Sequence, residues 1–172
     1  QNRRVQENAR HLKELRSFDP KKLNARERLY WRLTERSLED TKASLEFKEY
    51  LLPLSQMWGV QSEIPQTLAL NPKSTVQDLE AMVARVAAIP KLLSEVRTLL
   101  EEGIKQDILY PRVAMEKAAA QLKELLAAEG WKNPVLEPFQ NFPASIPAIE
   151  KLRIQKQVET IFSKEVRPAF VE

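Results

Sequence analysis

The chain has 172 residues, 43% apolar and 30% charged, with 11 prolines, three glycines, one histidine and no cysteine. The missing cysteine excludes disulfides, thiolate metal sites and cysteine nucleophiles, and the isolated Gly59, Gly103 and Gly130 cannot build a phosphate-cradling loop. The net charge is +3, but residues 1–36 hold eleven Lys/Arg against five acids, a segment charge of +6 that leaves −3 for the remainder.

Residues 3–17 read as a helix with Val5, Ala9, Leu12 and Leu15 on one face, ended by Phe18-Asp19-Pro20. Asn24 followed by Glu27 is a capping box for a second helix over 25–50. Its stripe is weak: Leu29, Leu33, Ser37 and Thr41 share a side, while Trp31, Leu38, Leu45 and Phe47 spread around it. The cations of this half are interrupted by Glu7, Glu14, Asp19, Glu27 and Glu35, and no aromatic ladder accompanies them. They read as solvated helix faces, and no nucleic-acid partner is expected.

Tyr50 to Gly59 is apolar, aromatic and punctuated by Pro53. It is too irregular for a long helix and reads as a packed bend or a cleft wall. A short helix over 62–70 follows, then the turn Asn71-Pro72.

Seven residues then recur at alternating spacings of three and four: Leu79, Met82, Val86, Ile89, Leu93, Val96 and Leu100. That period makes one stripe on a central helix over 75–102. Ser74 or Thr75 caps its start and Gly103 suits its stop. Pro90 either breaks it near Ile89 or kinks it, and the unbroken phase of the stripe favours the kink.

Tyr110-Pro111 opens a further helix over 111–129, with Gly130 at its C-terminal side. Residues 131–147 carry Trp131, Pro134, Pro138, Phe139, Phe142, Pro143 and Pro147 without any P-x-x-P, and read as an ordered loop pinned by its aromatics. Ser145 is placed to cap a last helix over 146–166, and Pro168 to end or kink it. No strand alternation and no run of eighteen apolar residues occurs, so neither a sheet nor a membrane span is expected. The reading is an all-α, bundle-like single domain over 1–172. The chain lacks an initial methionine and stops in mid-pattern at Glu172, so it is expected to be an N-terminal piece of a longer protein.

Catalytic patterns are missing. His11, the one histidine, lies among Arg10 and Lys13 and reads as exposed. A helical zinc-peptidase motif needs two histidines four apart. No G-x-S-x-G occurs, and Glu101-Glu102 point apart on a helix. No catalytic residue, metal ligand or cofactor is assigned within these residues.

An ordered series of residues is nonetheless familiar: Tyr50, Pro53, Gln56 and Gly59; Thr75 and Asp78; Pro90, Gly103 and Pro111; Asn133-Pro134, Pro138-Phe139, Asn141-Phe142-Pro143 and Pro147; Pro168-Ala169. With these the chain resembles the bacterial family catalogued as domain of unknown function 885, well over 45–172 and loosely over 1–44. The resemblance implies a helical, cleft-shaped protein of the zincin metallopeptidase type, whose zinc-binding H-E-x-x-H lies beyond this chain. It implies a C-terminal half as partner, a peptide substrate, zinc in the full-length protein, and a periplasmic or cell-envelope location, in some members as lipoproteins. Tyr50, Gln56, Trp58 and Gly59 become candidate cleft or signature positions. Asp107 stands where the family commonly has a second glycine, and aspartate can still take the left-handed turn there; Phe170 stands where tyrosine is common, and its lost hydroxyl argues against substrate contact at this end. A non-catalytic helical interaction module is the alternative.

Overall fold

The computed structural model describes residues 2–171, with the side chains of Asn2, Leu45 and Glu46 left aside. Leu45, counted above among the apolar residues of the second helix, thus lies outside the described side chains, as does Glu172. Among the described residues there is no strand, and the fold is all-α. The chain packs as two compact units, Gln1–Leu51 and Leu52–Glu172.

The first unit is a two-helix hairpin. Helix α1 (Asn2–Arg16) leads through a 3-10 turn at Pro20–Lys22, capped by the Asp19 side chain, into α2 (Ala25–Glu46). The capping box at α2 is complete: Glu27 N–H donates to Asn24 Oδ1 and Asn24 N–H donates to Glu27 Oε2, each at 2.9 Å. The helix ends four residues earlier than the sequence predicts. Lys48 takes φ +53° and a 3-10 turn follows at Glu49–Leu51. Phe47, expected on the helix, is its C-cap and is exposed. Asn8, Leu12 and Leu51 are the buried side chains of this unit among the described residues. The helices are joined by polar contacts. Asn8 Nδ2 donates to Leu38 O at 3.2 Å, Trp31 Nε1 to Leu15 O at 2.9 Å, and Arg16 to Glu35 and Glu39 at 3.0 and 2.5 Å.

The second unit is a helical cluster with a dense core. Helix α3 (Val60–Leu70) begins two residues earlier than expected. Helix α4 (Val76–Ala87) opens with the predicted Thr75/Asp78 capping box and buries Leu79, Met82 and Val86 completely. The central stripe then changes carrier. Rather than one kinked helix over 75–102, α4 stops and α5 (Ile89–Lys105) starts with Pro90 in its first turn. Ala88 between them keeps right-handed dihedrals (φ −84°, ψ −11°), which is why the stripe holds its phase. In that first turn the missing N–H is one that no helix satisfies.

Gly103 does not stop α5; the helix runs two residues past it. The stop is Asp107 at φ +55°, with Ile108 N–H donating to Gly103 O at 2.9 Å and Asp107 N–H to Ile104 O at 3.2 Å. That pair of bonds is a Schellman motif, with aspartate doing what glycine usually does. Helix α6 (Arg112–Ala127) follows Pro111.

Residues 131–147 are an ordered loop and part of the core. Val135 and Phe139 are fully buried, and Leu136, Pro138 and Ile146 nearly so. Asn133, also fully buried, donates to Leu125 O at 2.7 Å and Ala128 O at 3.3 Å, and accepts from Val135 N–H at 3.0 Å. It thereby satisfies carbonyls left open at the end of α6. Ser145 does not cap the last helix; α7 (Ala148–Ile161) starts after Pro147.

Pro168 does not end the helical run. The chain passes through a π turn, Phe162–Val166, and continues as α8 (Arg167–Val171). Proline offers no N–H to the carbonyl four residues back and crowds it. Widening the turn, with Arg167 N–H donating to Phe162 O, relieves that crowding. Ile154, Val158, Phe162 and Val166 stay buried along one side.

Candidate binding turn at Ser55–Gly59

Of the four positions singled out from the resemblance, Gln56, Trp58 and Gly59 share one turn before α3. Tyr50 is half-buried in the 3-10 turn that closes the first unit. The turn is locked from several directions. Ser55 N–H donates to Trp58 O at 2.8 Å, and Ser55 Oγ accepts from Met57 and Trp58 N–H at 3.1 and 3.3 Å. Gln61 Nε2 donates to Ser55 O at 2.6 Å and to Gln121 Oε1 at 3.1 Å, and Gln121 Nε2 donates to Gln56 O at 3.0 Å. These amides tie the turn to α3 and α6.

Gly59 is required by this geometry. Its φ is +134°, and a Cβ there would stand 2.6 Å from Leu54 Cδ1 and 2.7 Å from Gln61 Oε1. The result is a rigid loop whose tip is wet: Met57 is 76% and Trp58 47% exposed. The Trp58 ring meets Tyr110 edge-on, with centroids 6.2 Å apart. Beside the tip lies a shallow, open surface depression bounded by Gln56, Met57, Lys117, Ala120 and Gln121. The Oε1 atoms of Gln56 and Gln61 are buried without a hydrogen-bond donor.

Chemically, the turn offers apolar and aromatic surface, amide hydrogen bonding and one nearby ammonium. Gln61 and Gln121, which hold it, escaped the sequence reading, because nothing local marks an amide pair sixty residues apart. Phe170 is half-buried and walls a cavity of about 220 Å³ with Pro90, Leu93, Leu100 and Leu122. A ring in that apolar setting contributes packing without a hydroxyl.

No catalytic constellation accompanies these features. His11 is exposed on α1. Among the described residues, no group of three or more His, Cys, Asp or Glu is placed to hold a metal ion. Among the described residues, two groups have clearly shifted pKa values, both guanidiniums. Arg16 is raised mainly by its hydrogen bond to Glu35; desolvation lowers it in part, and Glu39 raises it further. Arg153 is raised by Glu150 and by Glu80, the latter tying α7 to α4. No helix among the described residues is long and apolar enough to cross a membrane.

Neither a curated protein nor a solved structure matches the chain. A family model does, and over the loosely similar first 44 residues as well as the rest. With the match running over residues 1–172, the chain belongs to the family described as bacterial protein of unknown function (DUF885).

Proposed function

We propose that this chain is a non-catalytic helical portion of a zinc metallopeptidase-like protein of the bacterial envelope, lining one side of a peptide cleft and inactive alone. The observation that carries the reading is the 55–59 turn. It is held by hydrogen bonds to two helices, yet it keeps Met57 and Trp58 in solvent. A rigid support under an exposed aromatic tip suits a surface that something else contacts. Gln56, Trp58 and Gly59 are its working positions; Tyr50, in the first unit, remains a signature position by resemblance alone. In this reading zinc and the chemistry of hydrolysis would be supplied by a C-terminal half carrying H-E-x-x-H, as the resemblance implies.

The experiment expresses both halves and follows peptide hydrolysis with added zinc. Mixing is expected to restore hydrolysis and raise the melting temperature of this chain by mass action. Trp58→Ala in this chain is expected to raise KM with kcat little changed. A monomer indifferent to the other half would overturn the scaffold reading. Cell fractionation tests the envelope location. The alternative reading, a helical interaction module, is favoured by a groove in the first unit.

A further inference from the structure

Along α1 runs a groove of about 630 Å³. Val5, Ala9 and Leu12 give it an apolar floor, Lys13, Arg16 and Lys42 stand at its rim, and no acidic side chain among the described residues lines it. Arg16 is held by Glu35 and Glu39. Lys13 and Lys42 have no carboxylate within ion-pair distance among the described residues, so their charge faces solvent over an apolar trough. The hairpin itself is underfilled. Val5 is 44% exposed, and the buried side chains from α1 are Asn8 and Leu12. Two helices pack along a single seam, and a unit of this size rarely builds a sufficient core from one.

We propose that this groove seats an acidic amphipathic helix of a separate polypeptide, completing a three-helix bundle. The shape selects a helix, because a trough along α1, edged by Lys42 of α2, accepts a cylinder and leaves a flat lipid surface standing off its floor. The apolar floor takes side chains at helical spacing. The rim selects the charge, because unpaired ammoniums on both helices favour carboxylates and repel a basic partner. The proposal is independent of the peptide-cleft reading, since the groove belongs to the first unit and the 55–59 turn to the second.

The test titrates the whole chain with an amidated helical peptide of about 18 residues. It carries Leu along one face and Glu and Ala elsewhere; its counterpart carries Lys in place of Glu. The acidic peptide is expected to bind, with amide shifts concentrated on residues 5–17, and the basic one is not. Lys13→Glu with Lys42→Glu should weaken binding about tenfold or more while leaving the circular dichroism melt unchanged, since both side chains are exposed. Ala9→Glu should block the floor, and Lys91→Glu on α5 should leave binding unaltered. A Kd above about 1 mM for the acidic peptide, or equal binding of both peptides, overturns the proposal. So do shifts that map elsewhere. Capture by phosphatidylglycerol vesicles without peptide binding would make the surface a lipid face. Self-association in sedimentation lost in Ala9→Glu would make it a dimer seam. Either result also overturns the proposal.

Discussion

The two compact units reach order by different means. In the second, Leu79, Met82, Val86, Val135, Phe139, Ile154, Val158 and Val166 are wholly removed from water. In the first, Leu12 and Asn8 are the buried contacts between its helices, and the rest is caps, an indole hydrogen bond and ion pairs in solvent. Burial of large side chains is worth about 1.5–3 kcal/mol each, whereas exposed pairs contribute far less. The unit with the core should therefore set the stability of the chain, and the hairpin should open first.

The largest expected break is Phe139→Ala. Although it lies in a loop, the ring is fully buried, so its removal should cost about 3–5 kcal/mol and lower the main transition in denaturant melts. A loss below about 1 kcal/mol would mean that the loop is an appendage and the contrast between units is overstated. Leu12→Ala should cost about 2–3 kcal/mol but act locally. Hydrogen exchange should speed up across α1 and α2 and stay unchanged in α4 and α7. Protection lost equally in both units would show them to unfold as one.

Gly59→Ala combines a left-handed φ with two contacts under 3.0 Å, and should cost about 2 kcal/mol. Gly130→Ala is the control, at φ +53° with nothing within 4 Å. It should cost about 1 kcal/mol, so a larger loss there would remove steric crowding as the reason for Gly59. Removing a cap should be smaller still. Asn24→Ala and Thr75→Ala should each cost about 1 kcal/mol, yet only the first should visibly fray its helix, because α2 has little core to hold it. Exchange rates at 25–28 and 76–79 compare them. The smallest effect is that of pH on the two guanidiniums. A raised pKa on a base contributes stability below its ordinary value and loses it only as pH climbs through the raised one. Arg16 and Arg153 should therefore add no pH dependence to melting between about pH 6 and 9.

What could be read from the sequence was what neighbouring residues decide together. Both capping boxes are local, and both are present. The seven-residue stripe correctly located the core face, but its phase could not tell one helix from two, since Ala88 remains right-handed. Gly103 looked like the stop of α5 because glycine usually is; the left-handed turn falls four positions on at Asp107, the glycine-like position that the resemblance marks. Ser145 had a capping side chain but not the helix start, which Pro147 moved. Asn133 was legible only as a member of the family-like series of residues. Its burial comes from α6 carbonyls that must find a donor. The 55–59 turn was visible as irregular and aromatic, but its rigidity comes from Gln61 and Gln121, whose meeting depends on how α3 and α6 pack.

The wide turn ahead of Pro168 has a consequence for phase. Ile154, Val158, Phe162 and Val166 recur every four residues, and in a regular α-helix each such step overshoots a full turn by about 40°. Three steps would carry Val166 well around the cylinder and out of the core. A wide turn advances less per residue and so takes up part of that accumulated rotation. The proline and the extra residue are therefore a matched pair. Deleting one residue from 162–166 would restore tight winding, set the Pro168 ring against a carbonyl, and swing Phe170 away from its cavity. Replacing Pro168 with alanine as well would remove the obstruction but not the mis-rotation. Length changes at this point should be read out as lost protection of α8, whereas point substitutions on its outer face should pass unnoticed.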